Sequence, residues 1–326
     1  MHEACRVDVV VTGGAGFIGS HLVDSLLADG YRVTVVDDLS SGSAARISTE
    51  ADLRRVDIVE KGALDRVVDE VKPAAIFHLA AQSSVTVSVK DPGRDCAVNV
   101  RGTLNVLEAA TRHRAPVVFS STGGALYGND APVPTSEDRT PAPLAPYGAS
   151  KWAAEAYVRT WSAANAVPHA VCRLGNVYGS RQSPHGEAGV VAIFTHDLFG
   201  GGAPNIYGHG TPTRDYVHVV DVVAALRAAS GVAGVFNVAT GIETDVMSVW
   251  DVLLDASGAR VKPTLLPLRD GELERSCLDP SRAREELGWE AQTPLHQGLR
   301  DAFEALVDEF EQPVDRLPDR AEAARL

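Results

Sequence analysis

The stretch from Val7 to Leu22 constrains the fold of this chain more than any other, and it reads VDVVVTGGAGFIGSHL. Its apolar beginning is short and rich in β-branched residues, which is typical of a buried strand. The apolar spacing that follows predicts a helix, and three glycines stand at the junction: Gly13, Gly16 and Gly19. Glycine suits a tight turn at which a pyrophosphate approaches bare backbone and the free N–H groups of a helix N-terminus. We therefore predict a strand, turn and helix that bind a dinucleotide.

The glycines alone are weak evidence for dinucleotide binding, because any tight strand-to-helix turn can supply them. An acidic residue at the end of the second strand strengthens the interpretation. Residues 32–36 have the pattern of a second strand, and Asp37 follows it, 18 positions after Gly19. A carboxylate at this point accepts hydrogen bonds from the adenosine ribose and repels a 2′-phosphate, which favours NAD over NADP. The alternative is a turn aspartate, since Asp37 and Asp38 precede a polar Ser-Ser-Gly sequence.

The length and charge of the chain narrow its functional classes. With 326 residues it can form one large or two modest domains. A net charge of −13 argues against nonspecific nucleic-acid binding and against an anionic membrane surface. The four cysteines lie far apart without a CxxC pair, so neither a metal site nor a disulfide framework is expected. Because no signal-peptide core or membrane-spanning apolar run occurs, a cytoplasmic location is the expectation.

Strand and helix patterns alternate after Asp37, as a parallel sheet with helices on both faces requires. Strands are predicted at 53–58, 75–79, 117–120 and 233–238, and helices at 64–71, 95–111, 248–254, 281–287 and 297–310, with a possible frayed helix in the tail at 312–326. Ala80 and Ala81 follow the fourth strand at the edge where open α/β sheets bind ligands, although simple alanine packing explains them equally well. Asn99 is either a core hydrogen-bonding residue or a ligand contact.

Two motifs place catalytic chemistry at the same edge of the sheet. The fifth strand ends in Ser120, Ser121 and Thr122, although such hydroxyl residues alone are usually turn chemistry. Tyr147 and Lys151 begin a helix at spacing i to i+4 and therefore share a face. An ammonium beside a phenol favours the phenolate, which lowers a pKa of about 10 towards working pH and creates a general base. Together the motifs predict an active site at this edge.

The ordered motifs resemble those of the extended short-chain dehydrogenase/reductases, in particular the UDP-glucose/UDP-galactose 4-epimerase branch, over nearly the whole chain. The matching segments are TGGAGFIGSH, HLAAQ, SSTGGALYG, YGASK, RLGNVYG, RDYVHVVDV and LDPSRAREELGW. The resemblance implies an α/β fold with a Rossmann-type doubly wound parallel sheet, formed by residues 1–175 and 216–240. A smaller α/β nucleotide-sugar-binding domain is expected at 176–215 and 241–326, and a homodimer is expected.

The resemblance also implies roles for individual residues. Contacts to a tightly bound NAD are expected at Gly13, Gly16, Phe17, Ile18, Gly19, Asp37, Asp38, Asp57, Ile58, Leu79, Ala80, Ala81, Asn99, Tyr147 and Lys151. Contacts to a UDP-sugar are expected at Ser83, Thr122, Tyr147, Asn176, Val191, Tyr207, Arg214, Arg269, Glu272 and Ser276. Tyr147 is expected to take the proton of the sugar 4-hydroxyl, and Lys151 to hold the nicotinamide ribose. Thr122 is expected to hydrogen-bond the 4-oxygen, with Ser121 as the less favoured candidate.

Four of these positions carry specific expectations about the substrate. A guanidinium fork pairs bidentately with phosphate oxygens, which suits Arg214 and Arg269 to a diphosphate, although an arginine is often only a surface charge. Glu272 stands where the family more often has aspartate, and a ribose contact is expected there. Ser276 stands where the family restricts the C2 substituent of the sugar. A side chain this small leaves room for an acetamido group, so UDP-N-acetylhexosamines are expected to be accepted.

The residues after Thr122 separate reaction classes. The sugar-nucleotide 4,6-dehydratases of this superfamily carry an acid directly after the catalytic threonine, whereas here Gly123 and Gly124 follow and the next carboxylate is Asp130. Without that proton donor, epimerisation at C4 through a transient 4-keto sugar is the expected reaction. The alternatives are another epimerase or a reductase acting on uronate or deoxysugar nucleotides and, least favoured, a noncatalytic NAD-binding protein.

Overall fold

The computed structural model describes residues 6–186, 189–269 and 272–311, so the predicted tail helix at 312–326 lies outside the described residues. The strands are β1 (Asp8–Thr12), β2 (Arg32–Asp37), β3 (Asp52–Arg55), β4 (Ala75–His78), β5 (Val117–Thr122), β6 (Ala170–Leu174), β7 (Asn176–Tyr178), β8 (Asn205–Tyr207), β9 (Thr213–Arg214), β10 (Tyr216–His218), β11 (Gly234–Val238), β12 (Thr244–Asp245) and β13 (Thr264–Leu266). The helices are α1 (Phe17–Ala28), α2 (Lys61–Val71), α3 (Val85–Lys90), α4 (Pro92–Cys96), α5 (Thr103–His113), α6 (Pro146–Asn165), α7 (Val190–Phe199), α8 (Val219–Ala228), α9 (Val246–Ser257), α10 (Ser281–Leu287) and α11 (Leu295–Glu311).

Seven strands form one parallel sheet in the order β11-β6-β5-β4-β1-β2-β3. The order reverses between β1 and β4, and ligands bind outside the carboxyl ends of strands at such a switch point. Thr12 and His78 end these two strands and are register partners. The α/β doubly wound class that the sequence predicts is therefore confirmed.

The sheet is buried on both faces, which explains its continuous apolar strands. Val9 and Val11 of β1 pack into one apolar cluster, and Val10 packs into the cluster on the opposite face. Helices α1 and α8 cover the first face, while α2, α5 and α6 cover the second. Because side chains alternate along a strand, β1 contributes to the apolar core on each face of the sheet.

A third apolar cluster lies in the second half of the chain. Helices α7, α9 and α11 pack together around Phe194, Trp250 and Leu299. Short strand pairs stand beside this cluster: β7 with β10, β8 with β13, and β9 with β12. The division of the chain into two discontinuous domains stays a prediction. Within the described ranges, no helix is long and apolar enough to span a bilayer.

Among the departures from the predicted boundaries, two involve predicted site residues. The third strand ends at Arg55, so Asp57 lies beyond the strand and not in it. The helix predicted at 95–111 consists of α4, a π-helical turn at Ala97–Gly102, and α5. Gly102 lies where Ile58 packs against the turn, and a Cβ there would lie 2.5 Å from Ile58 Cδ1. The absence of a side chain at Gly102 thus permits the close contact between this turn and Ile58.

Candidate active site

The turn between β1 and α1 is a cradle for an anion. Gly13 has φ +70°, and a Cβ there would lie 2.5 Å from the Ala80 nitrogen. A Cβ at Gly19 would lie 2.1 Å from the Gly13 oxygen, whereas one at Gly16 would meet only that oxygen, at 3.2 Å. In the described structure, no side chain caps α1, and its first turn, which contains Phe17 and Ile18, has no acidic residue. Its free N–H groups therefore suit the pyrophosphate of NAD.

The carboxylate of Asp37 connects the glycine turn with the loop after β2. Asp37 Oδ2 accepts from the Ala15 N–H and Oδ1 from the Leu39 N–H, each at 2.9 Å. Burial raises the pKa of Asp37, and the two backbone donors act against this shift. Asp38 Oδ1 accepts from the backbone N–H of Ser40 at 2.9 Å. Asp37 thus shapes the turn, and its place at the end of β2 also suits a ribose contact.

Asp57 and Ile58 lie in the segment after β3. Asp57 Oδ1 accepts from the Val59 N–H at 2.8 Å, and the Ile58 oxygen accepts from Asn105 Nδ2 at 2.8 Å. Ile58 is buried against Gly102. These contacts fix the segment beside the carboxyl edge of the sheet, and the roles of Asp57 and Ile58 as cofactor contacts stay predictions.

Sequence reasoning missed a directional hydrogen-bond chain through His78. Thr103 Oγ1 donates to the Asn99 oxygen at 2.6 Å, so it accepts from His78 Nε2 at 3.0 Å. His78 Nδ1 therefore accepts from Thr12 Oγ1 at 2.7 Å, which in turn accepts from the Ala80 N–H at 3.2 Å. Burial lowers the pKa of His78 to about 3, which keeps the neutral tautomer that the chain requires.

This chain fixes the Leu79–Ala81 segment, where three cofactor contacts are predicted. The Leu79 N–H donates to the Thr12 backbone oxygen at 3.0 Å, and the Ala80 N–H donates to the Thr12 hydroxyl. The segment therefore lies against the glycine turn. One signal in the sequence could have revealed it, since His78 is the single polar residue within the apolar run AIFHLAA.

Asn99 is fully committed within the protein. Its Nδ2 lies 2.9 Å from the Gln82 oxygen, 3.1 Å from Asp95 Oδ1 and 3.0 Å from Ser150 Oγ. Its Oδ1 accepts from the Gln82 N–H at 2.9 Å, and Ser150 Oγ donates to the Tyr147 oxygen at 3.0 Å. These contacts favour the core role of Asn99 between the two that the sequence left open. Its role as a cofactor contact stays a prediction.

The catalytic candidates meet where β5 ends and α6 begins. The hydroxyls of Tyr147 and Thr122 are hydrogen-bonded to each other. Lys151 Nζ donates to the Ser120 oxygen at 2.9 Å and stands 4.7 Å from the centre of the Phe119 ring. The structure thus brings Thr122, Tyr147 and Lys151 together, as predicted from their spacing.

The pKa of Tyr147 differs from the expectation. Burial raises it to about 12; the Thr122 hydrogen bond lowers it and the Asp95 charge raises it. Burial also lowers the pKa of Lys151 to about 8, against the opposing effect of Glu155 and Asp95. Desolvation, and not the attraction between ammonium and phenolate that the spacing suggests, is the main cause of both pKa shifts, and it favours the neutral form of both groups.

The loop after Thr122 packs closely against Leu278 at its first position. A Cβ at Gly123 would lie 2.2 Å from Leu278 Cδ1, so an acidic side chain there would require Leu278 to move. A Cβ at Gly124 would lie 3.5 Å from Asn176 Oδ1. The loop therefore connects the catalytic hydroxyls with Asn176.

A cavity of about 530 Å³ adjoins this loop. The predicted substrate residues that line it are Asn176, Val191, Tyr207, Arg214, Arg269 and Glu272. Ser83, Thr122, Tyr147 and Ser276 are not among its described lining residues. The structure thus brings together most of the predicted nucleotide-side contacts.

Charge is concentrated at one end of this cavity. The Arg269 guanidinium lies 3.6 Å from the centre of the Tyr207 ring, and Arg214 Nη2 lies 3.9 Å from Glu272 Oε1. Burial lowers the pKa of Arg214. Within the described residues, Glu272 Oε2 is buried without a hydrogen-bond partner. A ligand with phosphates and hydroxyls would satisfy these groups. Residues 270 and 271, between Arg269 and Glu272, lie outside the described residues.

Asp215 organises the cavity and was not predicted. Its Oδ1 accepts from the Thr240 N–H at 2.8 Å, and its Oδ2 accepts from the N–H groups of Gly241 at 2.9 Å and Leu278 at 3.3 Å. Its backbone oxygen accepts from the Asn176 N–H at 2.7 Å. One buried carboxylate thus joins the cavity to the segment that packs on the catalytic loop.

Ser276 lies within that same segment. Its N–H donates to the Thr213 oxygen at 3.1 Å, and its side chain is partly exposed. Leu278, two residues later, contacts Gly123. Ser276 therefore stands between the cavity strand β9 and the catalytic loop.

Three features define the class of this protein: a glycine cradle for a dinucleotide, a tyrosine–lysine pair, and a separate cavity lined by arginines. They are those of a Rossmann-type enzyme of the short-chain dehydrogenase/reductase class. The sequence model of the NAD dependent epimerase/dehydratase family matches residues 9–239. The chain belongs to this family. The fit of the cradle and of Asp37 agrees with NAD as its cofactor.

Relatives resemble the chain over nearly its full length. UDP-glucose 4-epimerase of Mycolicibacterium smegmatis is 46% identical over 303 residues, which are 90% of this chain and 97% of that protein. The crystal structure of UDP-glucose 4-epimerase with UDP-glucose from Thermotoga maritima superposes with a TM-score of 0.91 at 41% identity, covering 94% and 100% of the two chains. The crystal structure of Thermus thermophilus UDP-glucose 4-epimerase in complex with NAD superposes with a TM-score of 0.86 at 40% identity, covering 92% of this chain and 99% of that one.

Proposed function

We propose that this protein is an NAD-dependent 4-epimerase that interconverts UDP-glucose and UDP-galactose through a transient 4-keto sugar. The observation that carries the proposal is the hydrogen-bonded pair Tyr147 and Thr122 beside an arginine-lined cavity, with Gly123 and not an acid directly after Thr122. The relatives named above support the same reaction.

Different residues carry out proton transfer and substrate binding in this proposal. Tyr147 takes the proton of the 4-hydroxyl and later returns it. Thr122, which stands beside Tyr147, donates a hydrogen bond to the 4-oxygen when the sugar is bound. Lys151, held by the Ser120 oxygen, supplies positive charge beside the phenol. When bound, NAD supplies the reversible hydride acceptor that inversion at C4 requires. The arginines hold the diphosphate while the sugar turns about its phosphate linkage.

The proposal is tested by incubating the purified protein with UDP-galactose and no added cofactor. Proton NMR of the nucleotide sugars should then show UDP-glucose accumulating until equilibrium, because the hydride returns within each cycle and the NAD stays bound. A requirement for added NAD(P)H, or a product other than the C4 epimer, would contradict the proposal and favour a reductase or another epimerase.

We propose further that UDP-N-acetylglucosamine and UDP-N-acetylgalactosamine are substrates, because the small, partly exposed Ser276 stands at the position where the family restricts the C2 substituent of the sugar. Replacing Ser276 by tyrosine should lower kcat/KM for UDP-N-acetylglucosamine by about 100-fold and leave that for UDP-glucose much less affected, since a filled subsite rejects the larger substituent. Both substrates are measured on the same variant, so UDP-glucose serves as the control. Absence of UDP-N-acetylglucosamine turnover by the wild type would sink this idea.

We also propose that the enzyme is a homodimer formed through α3 and α6. Val85 and Val89 of α3 and Trp152 and Tyr157 of α6 are exposed apolar side chains on two helices that contact each other. An apolar patch of this kind on a folded protein marks an interaction surface, and a two-fold dimer buries the same patch on both subunits.

Replacing Trp152 by glutamate is expected to break this dimer, because it places charge at the centre of the patch. Light scattering should give twice 34.5 kDa for the wild type and about the mass of one chain for the variant. Val220→Glu is the matched control, since Val220 is an exposed apolar residue on α8, across the sheet from α6. A monomeric wild type, or an unchanged mass for Trp152→Glu, would contradict the proposed interface.

A further inference from the structure

A fully buried ion pair lies next to the catalytic residues. The side chains of Glu155 and Arg173 are 1% and 3% exposed. Arg173 Nη2 donates to Glu155 Oε2 at 2.6 Å, and Arg173 Nε lies 3.1 Å from both carboxylate oxygens. Arg173 Nη1 donates to the Tyr127 hydroxyl at 2.6 Å and to the Glu137 backbone oxygen at 3.2 Å. The charges of the pair are therefore well satisfied by hydrogen bonds.

Stability alone does not account for charges at these positions. Removing two charges from water offsets most of the attraction between them, and replacing a buried pair by apolar residues of similar volume is often neutral or stabilising. A buried pair of this kind can instead fix how elements are placed relative to each other. The elements that this pair joins are those of the active site.

Each partner is connected to a catalytic residue. Glu155 lies on α6, one helical turn after Lys151, and Arg173 on β6 is the register partner of Ser121 on β5. Ser121 Oγ donates to Glu155 Oε1 at 2.5 Å, and Thr122 is the next residue. The ion pair therefore ties α6, β5 and β6 together where Lys151 and Thr122 emerge. This contact also commits the Ser121 hydroxyl to Glu155.

The protonation state of Lys151 depends on nearby carboxylates. Its ammonium has one strong acceptor, the Ser120 oxygen, and otherwise contacts the apolar ring of Phe119. The titratable groups that face it are Tyr147 and Glu155 on α6, Asp95 on α4 and the neutral His78 on β4. Asp95 and Glu155 supply the negative charge at Lys151, and Arg173 forms an ion pair with Glu155.

We propose that Glu155 and Arg173 are positioning residues for the epimerisation proposed above, on which this inference rests. The Glu155 carboxylate holds the proton on Lys151 and, through Ser121, holds Thr122 at its place beside Tyr147. Arg173 holds Glu155 in position and limits the strength of its charge at Lys151. The opposite charges of the pair predict opposite effects of removing each one.

The protonation of Lys151 can be measured directly. The chain contains five lysines, so protein labelled with ¹³C-lysine gives few signals, and the Lys151→Met variant identifies the signal of Lys151. In the NAD-containing enzyme, Glu155→Gln should lower the titration midpoint of Lys151 by about one pH unit, and Arg173→Gln should raise it by about one pH unit. The alkaline limb of the kcat profile should move in the same two directions. A merely structural pair would move neither midpoint.

Three further variants distinguish charge from fold. Asp69→Asn neutralises an exposed ion pair with Arg112 and should leave the Lys151 midpoint unchanged. The double variant Glu155→Gln/Arg173→Gln preserves net charge and should return the midpoint to near that of the wild type, which also covers the case in which a single variant fails to fold. Ser121→Ala removes a contact without a charge, so it should lower kcat and leave the midpoint unchanged.

The inference is overturned if the two single variants shift the midpoint in the same direction, if neither shifts it, or if Ser121→Ala leaves kcat unchanged. A wild type without epimerase activity would contradict the proposed function instead. The NMR titration would still decide whether the pair sets the proton of Lys151, because it needs no turnover.

Discussion

Replacing Tyr147 by phenylalanine is expected to lower kcat for UDP-galactose by about 10³-fold, within the range that general acid–base groups contribute. Phenylalanine keeps the ring but has no hydroxyl to take the proton of the 4-hydroxyl or to hydrogen-bond Thr122. Because the cradle for NAD lies on β1 and α1, the purified variant should contain as much NAD as the wild type. Turnover is followed by NMR and the cofactor by its absorbance after protein denaturation.

Tyr157→Phe is the matched control for this prediction. Tyr157 lies on the same helix, α6, but its side chain is exposed. The control should retain the kcat of the wild type if it preserves the dimer. A Tyr147→Phe variant with more than about a tenth of wild-type kcat would assign proton transfer to another group, since the loss would fall below that expected for a general base.

The pKa values of the tyrosine–lysine pair illustrate what local spacing can and cannot predict. Spacing i to i+4 correctly placed Tyr147 and Lys151 on one face of α6 at the end of β5. It gave no information about burial, which raises the pKa of Tyr147 to about 12 and lowers that of Lys151 to about 8. Desolvation depends on everything packed around the pair, and those neighbours come from distant parts of the chain.

Secondary-structure elements that depend only on adjacent residues were predicted well, because their cause lies within the local sequence. The strand, glycine turn and helix at Val7 to Leu22 are set by local apolar pattern and by glycine geometry, and the structure has them as β1 and α1. The helix predicted at 95–111 was less accurate, because apolar spacing does not show that the segment contains a π-helical turn at Ala97–Gly102.

The organising polar residues of the core were missed because their partners are far away in sequence. His78 pairs with Thr12 and Thr103, and Arg173 pairs with Glu155. Each stands in an otherwise apolar strand, AIFHL and AVCRL, where a buried polar residue requires a partner. That pattern marks such positions in a sequence, but only the fold identifies the partner.

Replacing Arg214 by glutamine is expected to raise KM for UDP-galactose by about 100-fold, the equivalent of one lost charge-assisted hydrogen bond to phosphate. Arg214 is only 16% exposed and lines the cavity. Among the described residues, its Nη1 donates to the Thr213 oxygen at 2.8 Å, and its Nη2 lies 3.9 Å from Glu272 Oε1. An arginine so placed has its guanidinium available for a diphosphate. Because the nucleotide is held equally in ground and transition states, kcat should change by less than about threefold.

Arg275→Gln separates this role from a general effect of positive charge. Arg275 lies on the adjacent segment but is 61% exposed and paired with Glu243, so its loss should leave KM near that of the wild type. Equal effects of the two substitutions would indicate long-range attraction of the anionic substrate by the positive charges on this face, and raised salt would then increase the wild-type KM to a similar extent. An unchanged KM for Arg214→Gln would remove the diphosphate from this end of the cavity. It would leave Arg269, stacked on Tyr207, as the cation that holds the nucleotide.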